Sequence, residues 1–303
     1  MMSKVLIIGK VFVDIKGSSF APPHKDAKNV GNVIFSNGGT GRNVAQNMAV
    51  LGTEATFVTS ITDDATGRGV ITELEKHNVD TSSVHLVDEN GMGMWLAVLD
   101  NDGDLVTSIS HQPDERHLID AVYLQFEKDL SEYDAIIMDL DMPLEIIDDV
   151  TSISNKKQIP IYGLAAHLSE IQKNIKLLSR LTSFICNKEE AEILLHRTIS
   201  NQEEAITAAK DLAKLGAPLT IVTLSEQGCV YADLNNDEVG HIPTECITVI
   251  DSTGAGDAFF SGTVSQLIEG KNLKEAINIG MKSAKRVISC VDNALNEPIF
   301  VNK

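Results

Sequence analysis

Asp251-Ser252-Thr253-Gly254-Ala255-Gly256-Asp257-Ala258-Phe259-Phe260-Ser261-Gly262 is the stretch that decides how the rest of the chain is read. The run before it, Cys246 to Ile250, predicts a short strand. The residues after it take up helical periodicity, with Ala258, Phe259, Gly262, Leu267 and Ile268 on a core face. Two glycines at the turn let the backbone come close to a ligand with no Cβ in the way. The N–H groups of Ala255, Gly256 and Asp257 are then expected as unpaired donors of a helix start, suited to an anion. Asp257 stands in the first turn, where the helix dipole favours its ionised form. An ionised carboxylate beside an anion hole suits proton removal from a hydroxyl that attacks a phosphate held there. A turn that merely starts a helix would explain Gly-x-Gly alone, but not the whole string.

A second glycine-rich string lies near the N-terminus: Asn37-Gly38-Gly39-Thr40-Gly41-Arg42-Asn43-Val44-Ala45-Gln46-Asn47-Met48-Ala49-Val50-Leu51-Gly52. It predicts a tight turn running into a helix with Val44, Ala45, Met48, Ala49 and Leu51 as its apolar face and Gly52 as its stop. Val44 replaces the third glycine of a dinucleotide fingerprint, and no distal acidic residue completes that pattern. Glycines followed by amide side chains suit close approach to a neutral, hydroxyl-rich ligand. A plain turn before a core helix would account for the glycines but not for Arg42-Asn43.

The chain around these strings alternates strand and helix. Lys4 to Ile8 predicts a buried strand, and Val11, Val13 and Ile15 a half-exposed one with Asp14 near its end. Thr56 to Ile61 predicts a strand and Gly67 to Lys76 a helix. Gly93–Asp100 and Leu105–Ser110 are strand-like and joined by Asn101-Asp102-Gly103, a hairpin signal. With residues near 11–36 this hairpin is expected to form a small sheet, a lid, outside the main one. Beyond Asp114 come a helix near 115–128, the strand 135–138, a helix, the strand 159–162, a helix near 168–179 and the strand 183–186. A helix near 201–215, strands 219–224 and 229–231, and a last helix over 273–289 complete the set. That rhythm predicts a parallel sheet with helices on both faces, and ligands beyond its C-terminal strand ends. Asp139 and Asp141 fall at one such end and Asn187 at another. Asn187 and Glu190 also spell a capping box, so a helix start and a metal or phosphate role both stand for them.

Composition sets the remaining bounds. With 303 residues, 43% apolar and 22% charged, the chain fits a soluble globular protein of one large α/β domain, or one domain with an appendage. Its 25 Lys and Arg against 43 Asp and Glu leave a net charge of −18, which disfavours nucleic acid and anionic membranes as partners. No apolar run suggests a membrane span and no leader pattern opens the chain, so a cytoplasmic location is expected. Cys186, Cys229, Cys246 and Cys290 have no paired spacing and read as reduced core residues. The eight histidines form no close ligand pair.

Together these strings resemble the ribokinase-like (PfkB) family of carbohydrate and nucleoside kinases across essentially the entire chain. Within that family, Gly38-Gly39-Thr40-Gly41-Arg42-Asn43, the hairpin at 98–103 and the tail Ser289-Cys290-Val291-Asp292-Asn293 look most like bacterial pseudouridine kinases. The resemblance implies a ribokinase-like three-layer α/β sandwich: a single kinase domain over 1–303, a central mostly parallel sheet, and a small β lid built from about 11–36 and 92–111. It implies an ATP- and Mg²⁺-dependent kinase of a primary hydroxyl, most simply the 5′-hydroxyl of pseudouridine. Another nucleoside or a free sugar is the alternative. Asp257 would be the base, and the amides of Gly254, Ala255, Gly256 and Asp257 the hole for the γ-phosphate. Asp14, Gly39, Thr40, Arg42, Asn43 and Asp141 would face the sugar or nucleoside. Asn187 and Glu190 would position Mg²⁺ and phosphate, with Glu190 acting on the metal indirectly, and Thr223 and Gly228 would contact the nucleotide. A monovalent cation, K⁺, is implied near Asp251 and Thr253, and a homodimer through the lid. Two departures stand out: Gly163-Leu164-Ala165-Ala166 lacks the family's aspartate after this strand, and Ser225 stands where many members have glycine.

Other classes fail on their own terms. No Gly-x4-Gly-Lys-Ser/Thr string occurs, which removes a P-loop NTPase. A methyltransferase reading of the opening string leaves too little chain after it for the rest of a doubly wound sheet. A ligand sensor on a kinase fold would be marked by loss of Asp257, which is present.

Overall fold

The computed structural model describes residues 2–164, 168–245 and 247–299. Its first half contains β1 (Lys4–Ile8), β2 (Phe12–Ser19), β3 (Gly31–Gly38), α1 (Thr40–Val50), β4 (Glu54–Thr62), α2 (Ala65–Lys76), β5 (Val84–Val87), β6 (Gly93–Leu99), β7 (Leu105–His111) and α3 (Glu115–Phe126). There follow β8 (Ala135–Asp139), α4 (Leu144–Lys157), β9 (Ile161–Leu164), α5 (Ser169–Lys173), β10 (Ser183–Asn187), α6 (Lys188–Leu195), α7 (Gln202–Lys214) and β11 (Leu219–Thr223). The last elements are β12 (Cys229–Asp233), β13 (Glu238–Ile242), α8 (Ala255–Ile268) and α9 (Leu273–Ile288).

Among the described residues, nine strands form one sheet in the order β13-β12-β11-β10-β9-β8-β1-β4-β5. From β11 to β5 every pairing is parallel, and β12 and β13 add an antiparallel edge. The pleat sorts the core into two layers. Val5, Ile7 and Ile137 pack with Val44 and Met48 of α1, Val70 and Leu74 of α2, and Phe260 and Val264 of α8. Leu6, Ile8, Ile136 and Met138 pack on the other side, against Leu118 of α3, Ile147 of α4 and Leu212 of α7. Residues 5 to 8 are wholly buried, the signature of a strand covered on both faces. The result is an α/β/α sandwich with its loops gathered at the C-terminal strand ends.

A four-stranded sheet in the order β3-β2-β6-β7 stands over those ends. β2 enters it directly from β1, so Asp14 leaves the main sheet and lies beside Trp95 in the parallel β2–β6 register. Among the described residues no helix is long and apolar enough to cross a membrane.

Several expectations are corrected. Residues 247–250 form no strand: Val249 and Ile250 are exposed, and Ile250 donates only to the Ile288 carbonyl. β-Branched residues favour a ladder but do not supply its partner. Cys246 lies outside the described residues. The helix expected near 168–179 is broken at Asn174, whose φ of −145° and ψ of 82° leave a five-residue α5 followed by a 3₁₀ segment, Ile175–Arg180. β9 starts two residues later than expected, because Pro160 has no N–H for a ladder. Strands β3, β5 and β13 carry no clear alternation and were not expected as separate strands.

Candidate active site

Two glycine positions set the geometry of the 251–257 turn, for different reasons. Gly254 caps α8 with φ of +79°, and a Cβ there would sit 1.9 Å from the Asn293 carbonyl oxygen. It is required by the backbone alone. Gly256 has no such reason: a Cβ there would meet nothing within 4 Å. The space over Gly256 belongs to the cavity it lines. Of the three amides expected to be unpaired, that of Ala255 already donates to the Ser252 carbonyl at 3.2 Å. Those of Gly256 and Asp257 lie in the first turn, which has no acceptor within the helix.

The cavity measures about 660 Å³ and runs under the lid along the strand ends, a size suited to a small ligand. Asp14, Gly39, Thr40 and Asn43 line one end, with Phe12, Trp95, Ser110 and Gln112 of the lid region. Asp141, Asn187, Glu190, Thr223, Thr253, Gly254 and Gly256 line it towards the other strand ends, and Asp257 lies at the junction. Asn43 donates its Nδ2–H to Asp257 Oδ2 at 2.7 Å, joining two positions 214 residues apart. The two signature strings therefore meet at one hydrogen bond. Burial pushes the Asp257 carboxyl up to about 7; the Asn43 hydrogen bond and the Arg42 charge pull against that, and Asp139 adds to it. Burial also raises Asp14, against the charges of Lys16 and Arg42.

Three expected contacts fall elsewhere. Arg42 is 4% exposed and lies behind the cavity wall, not in it. Gly228 does not line the cavity: with φ of +88° it turns β11 into β12, and a Cβ there would meet the Ile242 carbonyl oxygen. Asp251 lies beyond the cavity lining too, and Lys16 Nζ stands 3.2 Å from its Oδ2 and 3.3 Å from Thr253 Oγ1. A tethered ammonium thus pairs with the Asp251 carboxylate and the Thr253 hydroxyl, next to the backbone carbonyls near which K⁺ is implied. Ala165 and Ala166, at the missing family aspartate, lie outside the described residues. Ser225 takes φ of +51°, the left-handed region that glycine enters without steric cost.

The capping box and the cavity role of Asn187 and Glu190 coexist. Asn187 Oδ1 accepts from the Glu190 N–H and Glu190 Oε2 from the Asn187 N–H, each at 2.8 Å, while both residues line the cavity. Burial is the main cause holding the Glu190 carboxyl above its usual range, and Glu189 and Asp141 add to it. Among the described residues no group of three or more His, Cys, Asp or Glu is set to hold a metal by itself. Carboxylates of Asp139, Asp141 and Glu190 on one cavity are nonetheless the hard donors that fit Mg²⁺ sharing its shell with phosphates and water.

Sequence reasoning missed Lys10, Phe12, Trp95 and Gln112. Lys10 bridges Glu115 Oε1 at 2.7 Å and the Asp141 carbonyl at 2.9 Å. Trp95 is the one tryptophan and falls in a strand expected for the lid, which was the signal available. Cys186 and Cys229 are buried, with thiols pushed up by burial, that of Cys229 to about 12.

The pfkB family carbohydrate kinase description matches residues 2–299. The chain is 50% identical over 294 residues to a guanosine-inosine kinase of Exiguobacterium acetylicum, covering 97% of each chain. It is 25% identical over 287 residues to a pseudouridine kinase of Escherichia coli (strain K12), covering 94% of this chain and 90% of that one. A ribokinase of Arabidopsis thaliana, solved with ribose and ATP, superposes with a TM-score of 0.79 at 19% identity over 99% of this chain and 95% of that one. The chain belongs to the pfkB family of carbohydrate kinases.

Proposed function

We propose that this protein transfers the γ-phosphoryl group of ATP to the 5′-hydroxyl of a ribonucleoside, with guanosine and inosine as its substrates. The observation that carries the chemistry is the 2.7 Å contact between Asn43 and Asp257 at the edge of the Gly254–Asp257 turn. On this reading Asn43 as a sugar-binding amide, Asp257 as a base and the turn amides as an anion hole all serve one hydroxyl. The sugar lies against Asp14, Gly39 and Asn43. Asp257 takes the proton of the 5′-hydroxyl as its oxygen attacks the γ-phosphorus, the bond to the β-phosphate oxygen breaks, and ADP leaves. The Gly256 and Asp257 amides hold the oxygens on which charge accumulates. Glu190, with Asp139 and Asp141, would hold Mg²⁺ directly or through water, and the ion supplies neutralisation of the phosphate charge.

The choice of nucleoside leans on the 50% identity to the guanosine-inosine kinase, against 25% to the pseudouridine kinase. The cavity lining also includes Phe12, Trp95 and Gln112, more than a free sugar needs. A carboxamide presents a donor beside an acceptor, the complement of the N1–H and O6 edge common to guanine and hypoxanthine. Pseudouridine is the second reading, favoured by the Gly-Gly-Thr-Gly-Arg-Asn string. On the lid, Val33, Phe35 and Ile109 are each more than 60% exposed, and a second copy covering them makes a homodimer part of the proposal. Light scattering on the purified protein tests that point, and a monomer at working concentration refutes it.

Initial rates of ADP release over guanosine, inosine, adenosine, pseudouridine, uridine, ribose and fructose test the substrate. Guanosine and inosine are expected to exceed the others in kcat/KM by about 10-fold or more, the net worth of one hydrogen bond of about 1.4 kcal/mol. Pseudouridine as the best substrate, or ribose equal to the nucleosides, would overturn the assignment.

A further inference from the structure

The cation nearest the base is one that touches no ligand. Arg42 lies in the first turn of α1, buried, and among the described residues it has no ion pair within 4.0 Å. Its Nη1 donates to Gln46 Oε1 at 2.8 Å, its Nη2 donates to the Asn37 carbonyl and to Asn43 Oδ1, and its Nε has no partner among the described residues. Gln46 in turn reaches the Leu295 carbonyl at 2.9 Å and Asn296 Oδ1 at 3.1 Å. A buried guanidinium without a carboxylate is costly to retain for stability alone.

A guanidinium only donates. The group of Asn43 that faces Arg42 must therefore be the carbonyl oxygen, which leaves Nδ2 to face Asp257. Asp257 fixes that choice only while it is ionised, since a protonated carboxyl can donate and a free carboxamide turns over to suit its partner. With Arg42 gone, Asn43 can present Oδ1 to a protonated Asp257 and so stabilise the acid that cannot act as base. The chain guanidinium–carboxamide–carboxylate also polarises each bond through the next.

We propose that Arg42 is a positioning residue for the base: it fixes the Asn43 carboxamide in the orientation that donates to Asp257, and its buried charge favours the carboxylate over the acid. The proposal rests on Asp257 as the base. The charged groups around the relay are few. Arg42 and the carboxylate of Asp139, at the end of β8, act on Asp257; Asp257, Asp14 of β2, Glu73 of α2 and Asp292 act on Arg42. Burial draws the Arg42 guanidinium down to about 10, which leaves it charged across neutral pH.

The test is the pH profile of kcat with saturating ATP and inosine for wild type, Arg42→Met, Arg42→Gln and Arg42→Lys, with KM for ATP measured alongside. The acid limb of wild type falls near pH 7. In Arg42→Met it moves up by about one pH unit, so that kcat is about 10-fold lower at pH 6.5 and within about 3-fold of wild type at pH 9. KM for ATP stays constant, and Arg42→Lys returns the limb to within about 0.3 unit. Arg42→Gln, a polar head without the charge, gives the same displaced limb if the methionine variant does not fold. A folded variant with lower kcat at every pH and an unmoved limb reduces Arg42 to a structural part and overturns the proposal. A wild-type profile with no acid limb between pH 6 and 8 refutes the base itself, a failure distinct from that of Arg42.

Discussion

Asp257→Asn removes one titrating oxygen and little else, because the asparagine Oδ1 can still accept the Asn43 hydrogen bond. Its effect on stability follows from the position of Asp257 under the cavity. The native carboxyl titrates at about 7, whereas a carboxylate in the unfolded chain titrates near about 3.9. Between those values the native state holds a proton that the unfolded state has released. Stability therefore falls as pH rises through this window and stays low above it. Three pH units correspond to about 4 kcal/mol. Part of the carboxylate faces the cavity, where solvent screens it, so about half of that is expected. The variant should exceed wild type by about 2 kcal/mol at pH 8, with the gap shrinking by more than half at pH 4.5. Urea unfolding followed by circular dichroism at the two pH values measures both numbers. A gap that is the same at pH 4.5 and pH 8, or a variant less stable than wild type at pH 8, would refute the reasoning.

Other substitutions separate backbone need from ligand need. Gly256→Ala is expected to fold with unchanged or higher stability, since its methyl meets no protein atom, yet to lose about 10²–10³-fold in kcat by crowding the phosphate; full turnover in a folded variant would exclude the anion hole. Gly254→Ala forces a left-handed alanine against the Asn293 carbonyl and should cost about 2 kcal/mol or more in urea unfolding. An unchanged midpoint there would show the turn to be adaptable. Exchanging K⁺ for tetramethylammonium should change wild-type turnover less than about 2-fold, because Lys16 supplies the charge at Asp251; Lys16→Met should then acquire activation by K⁺ of about 10-fold, read as turnover and as a K⁺-dependent rise in Tm. Equal K⁺ activation of both proteins would contradict the tethered ammonium. Gln112→Leu should lower kcat/KM for inosine by about 10-fold while leaving KM for ATP unchanged, and no change would remove Gln112 from base recognition.

The fold was readable where the physics is local. The apolar run 5–8 of β1, the capping box of Asn187 and Glu190, and the glycine turns each leave a mark in adjacent positions. Asp14, Asn43 and Asp257 carried the substrate and catalytic reading, and the structure brings all three to one cavity. What escaped depends on partners distant in sequence. β3 is exposed over most of its length and has no alternation to show, because its ladder to β2 supplies the order that burial does not. Arg42 was expected at the ligand because the resemblance, and a polar Arg42-Asn43 pair that a plain turn does not explain, pointed there; the packing of α1 against the 293–296 segment holds it inward instead. Lys16 looks like a solvent-facing strand residue until the 251–253 loop folds beneath it. Trp95 needed the parallel β2–β6 register, which no hairpin signal reports.

The central claim is that Asp257 is the base for transfer of the γ-phosphoryl group to a nucleoside 5′-hydroxyl, and ³¹P NMR of ATP with inosine over wild type and Asp257→Asn tests it most directly. Wild type is expected to convert the γ-phosphate signal into that of a nucleoside 5′-monophosphate with matching ADP, and the folded variant to do so about 10²–10⁴-fold more slowly. A variant with turnover near that of wild type, or wild type that releases only inorganic phosphate, would contradict it.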